Sequence, residues 1–361
     1  MKEYTIKPTE HFTPCEQGDF TTVLFRGDDS LTAFLEQGGA SDHREQTRFL
    51  LQRTDPETQR YAAGKLGVRA PKSGCSVCSV TTADGRALFG RNFDFRRCGM
   101  VILKAVPKTG YASVSTLNPD FIEIRSEQGL FDPKLEKLLK LLLYYLPMDG
   151  MNERGLCVSI NNIRNQTHIH QRESGKANQT VSSLVRTLLN CAADVDEALA
   201  VLRGSNFHTM EGYQVHLAIA DAAGRCVCAE YIDNQLFVTQ SRVVTNHYLT
   251  PGEKYGIGTQ QSHQRFQTLQ TYLQEKDGQF DADNLTRAMS SVAKSNYPAD
   301  GERFTEWSVI YDQHSLTASY FRREDYENRY VLSLTEDYDW GNITPASKYF
   351  FSNLKNVNLP E

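Results

Sequence analysis

One stretch constrains the fold more than any other: Gly74-Cys75-Ser76-Val77-Cys78-Ser79-Val80-Thr81-Thr82-Ala83-Asp84-Gly85-Arg86-Ala87-Leu88-Phe89-Gly90-Arg91-Asn92-Phe93-Asp94. Two runs rich in Val, Thr, Leu and Phe flank the dipeptide Asp84-Gly85, whose residues tolerate the positive φ of a tight turn. The segment therefore predicts a β-hairpin. Folding the second run back brings Arg91 and Asp94 towards Cys75. A cation beside a thiol favours its thiolate, and a carboxylate there can orient a proton-carrying partner. Residues three apart on a strand face opposite sides, so Cys78 is expected to be a packing residue rather than a second reactive thiol.

The 361 residues allow one large domain or two ordinary ones, with ample core. Lys and Arg number 39 against 44 Asp and Glu, a net charge of −5, with no long basic run. That balance argues against nucleic acid or an anionic membrane surface as partner. The longest apolar stretch, residues 138–146, is broken by Lys140 and followed by Pro147, too short to span a bilayer. The opening Met-Lys-Glu-Tyr-Thr-Ile-Lys lacks a signal-peptide core, so a cytoplasmic location is expected.

The eight cysteines form no secreted disulfide framework. Cys75-x-x-Cys78 has no second C-x-x-C to complete a zinc site. Cys226 and Cys228 share one face of an alternating strand, as small buried hydrophobes do. The tract His168-Ile169-His170 lacks a third ligand and reads as a polar loop. Neither a metal nor a cofactor is expected.

Residues 1–74 differ in character from the rest of the chain. Helical patterns are expected over residues 31–35 and 43–66, the second split at Pro56, with Gly38-Gly39 between them and Pro71 with Gly74 closing the region. Beyond Cys75 the chain turns strand-rich to about residue 115. A helix is expected over residues 132–146, then a turn over 148–155 and a strand over 156–162. Residues 181–202 carry Leu184, Leu188, Cys191, Val195, Leu199 and Leu202 at helical spacing, with Thr180 or Ser182 as cap. A meander is expected over 215–221, 226–232, 235–239 and 243–245, then helices over 265–273 and 282–292, a hairpin over 307–321 and a last strand over 330–334. Strands, helices, strands, helices and strands in that order indicate α+β, with antiparallel sheets and helices outside them.

A cysteine nucleophile needs a base and an oxyanion site. None of the nine histidines sits in a Cys/His signature. A cysteine that becomes N-terminal can use its own α-amine, whose ordinary pKa near 8 suits proton transfer at neutral pH. That requires a break between Gly74 and Cys75, where glycine permits unusual backbone angles.

The segment from Cys75 to Phe95 resembles the first hairpin of the N-terminal-nucleophile (Ntn) cysteine hydrolases of the choloylglycine hydrolase and penicillin V acylase type. Aligned on Asp84-Gly85 and Gly90-Arg91-Asn92, the family's nucleophile falls on Cys75. Further matches come in the family's order: Asn152-Glu153-Arg154-Gly155-Leu156, Ser159-Ile160-Asn161-Asn162, Ala220-Asp221-Ala222-Ala223-Gly224 with Glu230, Val244-Thr245-Asn246 and Ser262-His263-Gln264-Arg265-Phe266. The resemblance implies Cys75 as nucleophile, Arg91 and Asp94 supporting its thiolate and amine, and Arg265 in the active site. Asn246 and either Asn161 or Asn162, with Asn162 favoured, would be oxyanion donors. The 74-residue leader departs from the bile salt hydrolases and is more like the acid ceramidase and isopenicillin N acyltransferase branch, whose precursors cut themselves and keep the leader bound. Plainer readings stand beside these: Arg91 with Asp94 as a solvent-facing pair, Asn162 and Asn246 as turn residues, Arg265 as a first-turn helix charge.

The resemblance implies a four-layer αββα sandwich of two antiparallel sheets over residues 75–361, with residues 1–74 as a helical prosegment that serves as a bound partner once cut. The expected function is a self-processing cysteine amidase, cleaving a linear non-peptide amide of a small acylated amine such as a bile-salt conjugate, penicillin V or an N-acyl amine. An acyltransferase using the same acyl-enzyme is the alternative; a thiol-bearing binding or redox protein on this fold is a third reading. The loops over residues 109–131 and 163–179 are expected to shape the pocket. A homo-oligomer is a common state for enzymes of this size.

Overall fold

The computed structural model describes residues 1–68, 73–165, 167–276, 280–297 and 304–335; Pro71, expected to close the leader, lies outside them. The predicted hairpin is present as strands Gly74–Thr81 and Ala87–Phe95, with Cys75 opposite Phe93 and Val77 opposite Arg91. Gly85 takes φ 85° in the turn and its N–H donates to Thr82 O at 2.9 Å. This is the left-handed geometry for which glycine is suited.

The hairpin sits inside a seven-stranded sheet. Its order is Lys2–Thr5, Asn328–Ser333, Thr317–Arg322, Phe304–Asp312, Ala87–Phe95, Gly74–Thr81 and Val243–Val244. The nine-stranded second sheet runs Gln235–Gln240, Cys226–Ile232, Gln214–Ala220, Cys157–Ile163, Asp149–Asn152, Ser113–Leu117, Val101–Pro107, Phe20–Gly27 and Thr13–Cys15. The period-2 alternation of the hairpin gives each side chain its layer. Cys75, Val77, Phe89 and Phe93 join the large core between the sheets, where Phe93 stacks on Trp307 with centroids 4.0 Å apart. Cys78, Val80 and Leu88 join a second cluster on the opposite face, under helix Ala282–Ser291. Gly90 lies beneath that helix; a Cβ there would meet Met289 Cγ at 2.9 Å. Helix Val181–Cys191 packs on strands of the other sheet, completing four layers.

Several expectations need correction. The sheets are mixed, not antiparallel: Lys2–Thr5 pairs in parallel with Asn328–Ser333, and Phe20–Gly27 in parallel with Val101–Pro107. The leader is not a helical prosegment. It contributes strands to both sheets, and its helices, Leu31–Glu36, His43–Gln52 and Pro56–Ala62, form only its middle. The split at Pro56 is present, with Asp55 capping the new helix and Pro56 in its first turn. Residues 181–202 form two helices, Val181–Cys191 and Val195–Arg203. Ala192 is extended and the Asp194 side chain caps the second by accepting from Glu197 N. Thr180 caps the first in a capping box with Ser183. Asp149, expected in a turn, opens strand Asp149–Asn152. Val243–Val244 leaves the meander and pairs with Val77 and Cys78 in the seven-stranded sheet. Part of the expected pocket loop over residues 109–131 is strand Ser113–Leu117, buried inside the nine-stranded sheet.

The leader is held by buried polar contacts as well as by its strands. Asp29, 2% exposed, accepts from Tyr144 Oη and from Asn190 Nδ2, and Tyr145 Oη donates to Asp29 O at 3.0 Å. Gln46 donates to Tyr145 O at 3.3 Å and accepts from Thr180 Oγ1 at 2.7 Å. Among the described residues no helix is long and apolar enough to cross a membrane.

Candidate active site

Cys75 occupies the second position of its strand, its side chain between the sheets and wholly buried. Sγ lies 3.4 Å from Ile160 O and 4.0 Å from Ser73 Oγ. Arg91, on the same face of the partner strand, donates from Nη2 to the same Ile160 O at 3.2 Å and from Nε to Asp149 Oδ2 at 2.6 Å. Burial opposes the guanidinium charge, but charge at Cys75 and the Asp149 carboxylate outweigh it and hold Arg91 above its ordinary pKa. Asp149 also accepts from Tyr311 Oη at 2.8 Å and from Trp307 Nε1 at 3.2 Å. Arg91 and Asp94 are therefore neither a pair nor solvent-facing; both are fully buried, on opposite faces of one strand.

Asp94 lies on the backbone side of the cysteine. Its partner across the hairpin is Gly74, and a Cβ on Gly74 would stand 3.1 Å from Asp94 Oδ2. Asp94 Oδ1 accepts from Thr305 Oγ1 at 2.8 Å, whereas buried Oδ2 has no hydrogen-bond donor and faces Arg265 Nη1 at 3.5 Å. A buried carboxylate oxygen with a charge partner but no hydrogen bond has room for a donor.

Asn246 closes the site from the loop after Val243–Val244. Its Oδ1 accepts from Cys75 N at 2.9 Å and from Arg265 Nη2 at 2.7 Å, while Nδ2 donates to Asn162 O at 2.6 Å. Arg265, on helix Gln260–Lys276, donates from Nη1 to Cys75 O and Ser76 Oγ, both at 2.6 Å. The two candidate asparagines of strand Cys157–Ile163 part ways. Asn161 Nδ2 donates to Val244 O at 3.3 Å and Thr245 O at 3.2 Å. Asn162 sends Nδ2 to Gln214 O at 2.9 Å and keeps a buried Oδ1 unpaired.

The fold thus gathers Cys75, Gly74, Asp94, Asn246 and Arg265 on one side, Arg91 on the other, with Asn162 meeting the group through its carbonyl. Residues that sequence reasoning missed are Asp149, Thr305, Ser76 and Ser262, whose Oγ accepts from Asn246 N at 2.7 Å. Ser76 and Ser262 lie inside the motifs quoted above without a role assigned to them, and Asp149 was signalled only by its place before the turn-like Gly150.

The comparisons with known proteins agree with this architecture. Residues 147–326 match the family described as acyl-coenzyme A:6-aminopenicillanic acid acyl-transferase. The fold is similar to two crystal structures of conjugated bile acid hydrolase from Clostridium perfringens, one of a mutant and one of a variant. Each is 15% identical with a TM-score of 0.54; the alignments cover 75% and 73% of this chain and 98% and 94% of theirs. This is an Ntn-hydrolase fold of the choloylglycine hydrolase and penicillin V acylase type. Penicillin V acylase from Agrobacterium tumefaciens is similar at 18% identity and a TM-score of 0.46, over 69% of this chain and 83% of its own. No curated protein matches the sequence significantly.

Within the Ntn fold, Cys78 faces the helix layer, and burial pushes its thiol up to about 12. Cys78→Ala is expected to leave activity unchanged and cost about 1 kcal/mol of stability. Activity falling together with thiol titration in that variant would move the nucleophile to Cys78. His247, beside Asn246, is pushed down to about 4 by burial; its Nδ1 lies 2.8 Å from Ser262 Oγ. His43, in the leader, is likewise pushed down to about 4 by burial. Between pH 6.5 and 4 the unfolded chain binds protons at these rings that the folded chain refuses, so stability must fall as pH drops through that window. For His247 alone the loss at pH 5 is about 2 kcal/mol. A melting temperature that does not rise between pH 5 and 7 would contradict this.

Proposed function

We propose that the chain is a self-processing Ntn amidase whose nucleophile is Cys75. One observation carries the reading: Cys75 has its amide nitrogen on Asn246 Oδ1 and its thiol beside Arg91, with Asp94 Oδ2, which faces Arg265 at 3.5 Å and accepts no hydrogen bond, against Gly74. Attack of Cys75 Sγ on the Gly74 carbonyl carbon moves the acyl group from nitrogen to sulfur. Water then releases the Gly74 carboxylate and leaves Cys75 with a free α-amine. That amine supplies the donor that Asp94 Oδ2 lacks. The thiol is wholly buried in the uncut chain, so substrate reaches it only once the break lets Gly74 move away from it, the rest of residues 1–74 staying bound.

In turnover Cys75 Sγ, beside Arg91, attacks the carbonyl carbon of a linear acyl amide. The thiol proton passes through the α-amine to the leaving nitrogen, the carbon–nitrogen bond breaks, and water cleaves the acyl-enzyme. Asn246 and Asn162 are the proposed oxyanion residues; in the uncut chain their Nδ2 groups are held by Asn162 O and Gln214 O, so each must turn from that partner to contribute the roughly 3 kcal/mol of such a donor. Arg265 locks Asn246 and the Cys75 carbonyl. The leader, residues 1–74, stays bound after cleavage because its strands and the buried Asp29 and Gln46 remain paired.

The match of residues 147–326 to an acyl-transferase family favours a second reading, transfer of the acyl group to an amine or thiol. Intact-mass measurement of purified protein tests the processing: two fragments, residues 1–74 and 75–361, are expected. An uncut chain with no thiol-dependent turnover would return the protein to the binding or redox class. Hydrolysis and aminolysis of one acyl donor, measured side by side, separate amidase from transferase; transfer dominating in water would replace the amidase assignment.

A further inference from the structure

A buried acid–base pair lies one residue from Asn246, outside the group of side chains that touch Cys75. His216, on strand Gln214–Ala220, and Glu230, opposite it on Cys226–Ile232, are both fully buried. His216 Nε2 lies 2.9 Å from Thr245 O, and Nδ1 lies 2.9 Å from Glu230 Oε1. A carbonyl oxygen only accepts, so Nε2 carries a proton. The other ring nitrogen faces a carboxylate oxygen. Glu230 is committed as an acceptor: its oxygens take Leu249 N, Thr250 N and Thr250 Oγ1. The ring thus spans from the Thr245 carbonyl to a carboxylate that the Leu249–Thr250 backbone itself fixes.

His216, Cys228 and Glu230 bring their ligand-type atoms within 4.8 Å of one another, as a metal site would. Their hydrogen bonds account for the approach without an ion. The charged and titratable groups around His216 are Glu230 and Cys228 on the neighbouring strand, Cys228 Sγ being 3.2 Å from Nδ1. His247, on the loop after Thr245, also lies within electrostatic reach of His216 and Glu230.

We propose that His216 and Glu230 form a positioning relay that fixes the Thr245–Asn246 backbone, and with it the amide that holds the Cys75 nitrogen and Arg265. Thr245 O receives two donors, His216 Nε2 at 2.9 Å and Asn161 Nδ2 at 3.2 Å, while Ser262 Oγ receives Asn246 N at 2.7 Å. The peptide between the two residues is clamped at both its polar atoms. Removing His216 leaves only the longer donor, and misplacement of Asn246 then weakens acylation. This inference rests on the reading of Cys75 as an N-terminal nucleophile.

The test uses the processed enzyme and its His216→Ala, His216→Gln and Glu230→Gln variants on one acyl amide. His216→Ala is expected to lower kcat about 10- to 100-fold while KM changes less than about 2-fold. His216→Gln, whose amide N–H can meet Thr245 O, should recover most of that loss. Glu230→Gln, which keeps an acceptor facing the ring, should lower kcat less than His216→Ala. Slowed cleavage at Gly74–Cys75, read by mass, counts as the same result if a variant matures poorly. Amide NMR on the uncut Cys75→Ala chain supplies a readout that needs no activity: the Asn246 N–H resonance should shift when His216→Ala is added and return with His216→Gln. An Asn246 amide that does not move with His216→Ala, or an active wild type whose His216→Ala form keeps its kcat, overturns the relay. A wild type that is neither cut nor active sinks the nucleophile reading itself.

Discussion

Cys75→Ala is expected to give one uncut chain of 361 residues with no turnover, at a cost to folding of about 1 kcal/mol or less. The two losses have one cause. Cleavage needs the thiol as attacking atom, and turnover needs both the thiol and the amine that cleavage exposes. Little in the packing depends on sulfur, whose hydrogen-bond contact is to Ile160 O at 3.4 Å and which is replaced by a methyl group of smaller volume. Intact mass, thiol titration and amide hydrolysis, measured on one preparation with its melting curve, check all of this together. Cleavage persisting in this variant would mean that the Gly74–Cys75 bond is cut by another group or another protein, and that Cys75 has been given the wrong role.

Asp149→Ala is expected to be the most damaging single substitution for stability, at about 3–5 kcal/mol. Arg91 and Asp149 are each wholly buried and joined at 2.6 Å. Removing the carboxylate strands a guanidinium between the two sheets and leaves Tyr311 Oη and Trp307 Nε1 without their acceptor. Breaking a buried pair from one side costs far more than deleting both partners. A double variant, Arg91→Met with Asp149→Leu, should therefore be more stable than Asp149→Ala, although without Arg91 beside the thiol it should process slowly or not at all. Urea denaturation of the three proteins is the measurement. An Asp149→Ala protein within about 1 kcal/mol of wild type would show that the ion pair is not buried as described.

The hairpin was legible because everything that defines it is local: an Asp-Gly turn, alternation on both sides, and a register that the turn itself imposes. That register sets Cys75 and Cys78 on opposite faces and brings Arg91 close. The order of the later motifs likewise placed Asn246 and Arg265 beside the cysteine, where Asn246 Oδ1 and Arg265 Nη1 meet its backbone. The strands of the leader were not legible. Lys2–Thr5 is a short edge strand, mostly exposed, and Phe20–Gly27 pairs in parallel with a strand some eighty positions away. Parallel partners are joined by no turn, so no local signal announces them.

Three properties belong to the amino-acid order alone: the thiol-bearing hairpin, the lack of a histidine signature for its base, and the consequent place of Gly74–Cys75 as the bond in question. The surroundings of that bond arise only when the sheets close on each other. Asp149 reaches Arg91 across the sandwich, Asp94 turns to the backbone side of Cys75, and His216 with Glu230 holds the peptide before Asn246. Each of these is a meeting of polar groups distant in the chain and driven together by burial. A buried donor or acceptor must find a partner, yet the identity of that partner is written in no local pattern.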